Sequence, residues 1–128
     1  MPFRYNDNVL IRDVEVDGTK MVANFDTGSS GTFDLTPEAI TLLGLEEEFK
    51  SARVSTNVGY NGMSEHRVGN LKNVTIGSIS VDSPPVTFFV KGTGHDKRPW
   101  GINIGNVFLK DFVVTIDYRA KLITLERP

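Results

Sequence analysis

The sequence predicts a mainly β domain, a small closed or partly closed barrel carrying one or two short helices. Three observations lead there. Apolar and polar residues alternate with a period of two through much of the chain, as in Asp13-Val14-Glu15-Val16. Turn-forming pairs such as Asp17-Gly18 and Asn61-Gly62 separate the apolar runs. Before the last third of the chain only "TPEAITLLGL" has both the start and the stop of a helix.

The elements follow in order. "DVEV" and "KMVANFD" form a hairpin about Asp17-Gly18, a pair suited to the positive φ angles of a two-residue turn. The return strand ends on Asp26, and "TGSSG" follows at once. In the helix, Thr36 is the cap, Pro37 takes the first position and Gly44 ends it. The glutamates of "EEEF" read as a solvated turn. "ARVSTNVGYNGMSEHRV" reads as a long hairpin with Tyr60-Asn61-Gly62 near its tip. "NLKNVTIGSISVDS" and "PPVTFFV" read as two more strands, and "KGTGHDKRP" as a polar loop. "WGINIGNVFLKDF" is an apolar strand running through Gly105 into a short helix, and "VVTIDYRAKLITLE" is a closing hairpin.

Composition narrows the function. At 128 residues the chain is expected to be a single domain, 1–128, either compact in its own right or part of a longer protein. A net charge of −2 argues against nucleic acid or an acidic membrane surface as partner. No apolar run approaches the ~18 residues a membrane span needs. The absence of cysteine excludes disulfides, thiol nucleophiles and thiolate metal sites. "MPFRYNDNVLIRDVEV" lacks the basic-then-apolar pattern of a signal peptide, and the compartment is left open, a secreted or periplasmic parent included.

Several chemistries fail on spacing. The two histidines, His66 and His95, have no metal-ligand spacing. "TGSSG" lacks the glycine-x-serine-x-glycine pattern of a nucleophile elbow. "GTGHDK" lacks the third glycine of a dinucleotide fingerprint.

Two motifs remain. "FDTGSS" resembles the active-site turn of aspartic proteases, and "INIGNVFLKDFVVTIDYRAKLITLE" resembles the C-terminal half of the retropepsin-like family. With the long hairpin between them they cover essentially the whole chain, in the order the family requires.

The resemblance implies a function: an aspartic endopeptidase of the acid-protease fold, using no metal or organic cofactor. Its chemistry needs two neighbouring carboxylates that share one proton, because like charges so close cannot both ionise easily. One acts as base on a water, and the other protonates the scissile carbonyl. The resemblance makes Asp26 the catalytic acid. Gly28 permits the turn and leaves its N–H near the carboxylate, Thr27 reaches to the partner copy, and Ser29 bonds the outer carboxylate oxygen. Gly59, Tyr60, Asn61 and Gly62 fall at the tip of a flap that closes over a peptide or protein substrate.

Since one chain supplies one such aspartate, the second comes from a homodimer or from a second similar domain. A non-catalytic peptide-binding or assembly domain on the same scaffold is the alternative.

The sequence also departs from the family. Ser30 and Asn106 stand where retroviral members have an aspartate–arginine pair, leaving room for a neutral hydrogen bond. Val107 stands where many relatives carry Asp or Asn, and Asn103 interrupts an apolar segment. Trp100 fits either core or substrate wall. Of Phe88 and Phe89, one is expected in the core and the other against substrate or partner. Lys97-Arg98 reads as a solvated loop.

Overall fold

The computed structural model describes residues 1–59, 62–92 and 97–128, and only the backbone of 57–59 and 62–64. Tyr60, Asn61 and His95 lie outside the described residues. The strands are β1 (Phe3–Tyr5), β2 (Val9–Val16), β3 (Thr19–Phe25), β4 (Phe33–Leu35), β5 (Arg53–Gly59) and β6 (Gly62–Asn70). They continue with β7 (Asn73–Ile76), β8 (Ile79–Asp82), β9 (Pro85–Phe88), β10 (Ile102–Ile104), β11 (Val113–Asp117) and β12 (Leu122–Glu126). Three short helices are α1 (Pro37–Leu42), α2 (Glu46–Ser51) and α3 (Asn106–Leu109).

One mixed sheet runs in the order β5-β6-β9-β4-β10-β3-β2-β7-β8, with β1 beside β2. The β11–β12 hairpin forms a separate sheet. The mainly β architecture is therefore a partly curled sheet, without ring closure among the described pairings. Asp17 and Gly18 take φ of 49° and 85°, which makes the β2–β3 turn the mirror-image type suited to strand twist. Asp17 Oδ1 also accepts from the N–H groups of Lys72 and Asn73, anchoring the turn to the start of β7.

Three local elements differ from expectation. The glutamates form the first turn of α2 instead of a solvated turn, because acids are favoured at a helix N-terminus. Phe49 anchors this helix, meeting the Phe88 ring edge-on at 6.1 Å. "NLKNVTIGSISVDS" folds back on itself as β7–β8, since Gly77 at φ 60° permits a turn in its middle. Phe33–Leu35, for which the sequence pattern predicts no strand, is a strand held between β10 and β9.

The core explains how the site is carried. Ala23, Phe25, Phe33, Leu35, Ile102 and Ile104 come from β3, β4 and β10 and point into one buried cluster. Strand β10 sits centrally, parallel to β3 and antiparallel to β4. Phe108 of α3 meets Phe33 at 5.1 Å between ring centroids, fixing α3 over the end of β4. Thr36 caps α1 by accepting from Ala39 N–H at 3.2 Å and donates its hydroxyl to Gly101 O at 3.3 Å, tying α1 to the approach to β10.

Candidate active site

The stretch after β3 is locked by its own backbone. Asp26 N–H donates to Ile104 O at 3.0 Å, extending the β3–β10 pairing by one residue. Ser29 N–H reaches back to Asp26 O at 3.3 Å, and Gly28 N–H donates to Asp26 Oδ1 at 3.0 Å. The carboxylate is thus held by the turn that follows it, as Asx-type turns do. Asp26 is half-buried, while Thr27 and Gly28 are exposed.

The far side of the turn is clamped to the junction of β10 and α3. Gly105 N–H donates to Thr32 O at 2.8 Å, Asn106 N–H to Ser29 O at 2.8 Å and Val107 N–H to Gly31 O at 3.0 Å. These bonds bring together the two motifs that lie far apart in the chain. The Ser29 hydroxyl is taken up within the turn, accepting from Gly31 N–H at 3.3 Å. Ser30 and Asn106 share no side-chain hydrogen bond among the described residues. The contact there runs instead through Ser29 O.

A second carboxyl lies close by. Asp34, on β4, is buried and accepts from Asn103 Nδ2 at 3.2 Å. Asn103 Oδ1 in turn accepts from Asn24 Nδ2 at 2.8 Å. Burial pushes the Asp34 carboxyl up to about 6, the Asn103 amide pulls it down, and the charge of Asp26 pushes it up again. Neither sequence motif singles out Asp34. The one signal for it in the sequence is an acid inside the apolar triplet Phe33-Asp34-Leu35, matched by the amides of Asn24 and Asn103 in equally apolar strands.

The β5–β6 hairpin is paired from Arg53–Val68 to Gly59–Gly62, so Gly59 and Gly62 face each other across its end. Its base borders a cleft of about 410 Å³ lined by Thr32, Arg53, Asn70 and Thr87 among others. Phe88 is in the core, whereas Phe89 packs against His66 at 5.3 Å. Burial lowers the His66 imidazole below its ordinary range. Trp100 is buried with Arg98 over its ring, and Lys97 and Arg98 are exposed. Among the described residues, no three His, Cys, Asp or Glu side chains converge to hold a metal, and no helix is long and apolar enough to cross a membrane.

The family model described as aspartyl protease matches residues 12–107. In fold, the chain is similar to a retropepsin-like aspartic protease from Rickettsia conorii, with TM-score 0.69 and 20% identity, covering 98% of this chain and 88% of that one. It is also similar to the retroviral protease-like domain of Ddi1 from Leishmania major, with TM-score 0.57 and 14% identity, covering 91% and 88%. Among curated proteins there is no match. The fold expected from the two motifs is the one these structures share with the chain.

Proposed function

The chain belongs to the aspartyl protease family, and we propose on that premise that it is an aspartic endopeptidase working as a single domain, 1–128, paired with a second copy. Two Asp26 carboxylates would then face one another across a twofold axis, sharing one proton and holding a water between them. The ionised carboxylate takes a proton from the water as its oxygen adds to the scissile carbonyl carbon. The protonated carboxyl gives its proton to the carbonyl oxygen, and a tetrahedral diol forms with no covalent link to the enzyme. No metal or organic cofactor enters this scheme.

One observation carries the reading. The Asp26 carboxylate is fixed by Gly28 N–H at a rim where Thr27, Gly28, Ser30 and Val107 are all exposed, Val107 at 43%. An exposed valine beside an exposed glycine turn suits a surface that another copy covers. In this reading Thr27 contacts the partner copy, Ser29 supports the turn, and the hairpin tip at Gly59, Tyr60, Asn61 and Gly62 closes over a peptide.

The test is cleavage of a peptide library by the wild-type chain and by Asp26→Asn. Activity that favours acid pH, yields to a statine-type transition-state analogue and vanishes in the variant supports the reading. A verified dimer that cleaves nothing would overturn it and favour a binding or assembly domain on the same scaffold. Activity gained only beside a second, similar domain would replace the homodimer with that domain.

A further inference from the structure

The sheet face that presents Asp26 presents another acid. Residues two apart on a strand share a face, and the β3–β10 pairing extends to Asp26, so Asn24 and Asp26 point the same way. Asn24 is in register with Asn103, and Asn103 with Asp34 on its other side. Their neighbours along each strand all belong to the core cluster. A row of three polar side chains therefore crosses β3, β10 and β4 on the face opposite the core. Each is nevertheless buried, Asn24 at 7% exposure, Asn103 at 4% and Asp34 at 8%.

A row that served only to fill space would do so at less cost with neutral residues, because a buried carboxylate is expensive unless its oxygens are satisfied. Asp34 has a single donor among the described hydrogen bonds, on Oδ2. Its Oδ1 faces the turn: a Cβ placed on Gly31 would lie 3.4 Å from it and 3.8 Å from Ser29 Oγ. The chain Asn24–Asn103–Asp34 thus runs from the strand that delivers Asp26 to the underside of the turn that holds it.

The charges around Asp34 are few. From β10 it meets the neutral Asn103, with Asn24 behind it, and from β9 Thr87 in register. Arg53 stands in the same row beyond Thr87 and Val68, three strands and about 14 Å away, and is exposed to screening solvent. Asp26 is the charged group that acts on Asp34.

We propose that Asp34 is a positioning residue of this site: a third carboxyl, fixed beneath the Asp26 turn by the Asn103 and Asn24 amides, whose charge is coupled to that of Asp26 and sets how far toward neutral pH the reaction runs. The inference rests on the protease reading given above. At acid pH Asp34 is protonated and adds no charge. As it ionises, its negative charge opposes a second negative charge on the catalytic pair, so the shared proton is retained to higher pH.

Two measurements decide it. The first is the pH dependence of kcat/KM for wild type and Asp34→Asn, a variant that keeps a carbonyl acceptor for the Asn103 amide. The neutral side of the profile is expected to move down by about half a pH unit, with the acid maximum kept within a few-fold. Superimposable profiles overturn the proposal. The second is the ¹³C titration of the Asp34 carboxyl in the whole chain, wild type against Asp26→Asn. Its midpoint is expected to fall when the Asp26 charge is removed, and an unchanged midpoint overturns the coupling. This titration needs neither catalysis nor a folded Asp34 variant. If a verified wild-type dimer cleaves no peptide, the protease reading fails while the coupling is still decided.

Discussion

The carbonyl oxygen of Gly31 fills the space in which a side chain on Gly105 would begin, and Ser29 Oγ would lie 3.1 Å from the same point. Gly105 has φ of −100°, an angle open to any residue, so space and not conformation demands glycine there. The close approach lets the β10–α3 junction donate three backbone N–H groups into the turn after Asp26. The geometry of the candidate site therefore depends on a residue far from it in sequence.

Gly105→Ala is expected to force the two backbones apart. Overpacking at a rigid contact costs about 1–3 kcal/mol. Urea unfolding should show this loss as a lower midpoint at unchanged slope. Peptide cleavage should fall more steeply than stability does, because the displaced segment is the one that holds the Asp26 turn. A variant with wild-type stability and activity would show that the junction is not a clamp.

Thr27→Ala tests the pairing of two copies. Thr27 is exposed, and among the described residues its hydroxyl makes no hydrogen bond within its own chain, so removing it should leave the isolated fold intact. If two copies meet at this turn, dimer affinity should fall roughly tenfold, about 1.4 kcal/mol. Sedimentation velocity across a dilution series reads the shift, and specific activity should decline over the same range. Equal association in both proteins would place the interface elsewhere.

The legible parts of this protein were those with short-range physical signals. Asp17-Gly18 announced its turn by the positive φ it needs, and Thr36, Pro37 and Gly44 marked the ends of α1 by capping chemistry. Asp26 stood out because an apolar strand led to it. Asn103 was visible as an amide within an apolar segment, although its two partners were not. Asp34 has no such local signal because its meaning is a matter of register: only the pairing of β4 with β10 sets it beside Asn103 and behind the turn. Strand pairing across such distances in the chain leaves no local trace. The division of "NLKNVTIGSISVDS" into β7 and β8 was hidden for a related reason, since Gly77 reads equally well as a strand residue or a turn.

Asp34 should make stability depend on pH in a direction opposite to most carboxylates. Its folded-state value of about 6 lies above the ordinary 3.8, so the folded protein binds the proton more tightly than the unfolded chain does. The stabilisation from protonation is complete below about pH 3.8, declines as pH rises and is gone above about 6. Asp34→Asn removes that dependence. The stability of the variant relative to wild type should increase between pH 3.5 and pH 7.5, by at most about 3 kcal/mol. Urea titrations at the two pH values check it, and a pH-independent difference would contradict the placement of the group.

Asn103→Leu strikes the centre of the polar row. Leucine fits an apolar strand, but it removes the acceptor of Asn24 Nδ2 and the donor to Asp34 Oδ2 together. Each buried group left without a partner costs about 1–3 kcal/mol. The two losses respond differently to pH. Asn24 is neutral at every pH, so its share is constant. Asp34 without its amide is penalised most when ionised, because the Asn103 hydrogen bond is what favours the charged form. The variant should therefore lose more stability at pH 7 than at pH 4, and its Asp34 carboxyl should titrate higher than in wild type. Denaturant unfolding at both pH values and a carboxyl titration measure the two effects separately. An equal loss at both pH values would mean that the Asn103 amide does not act on the charge of Asp34 and that the row carries no charge-dependent interaction.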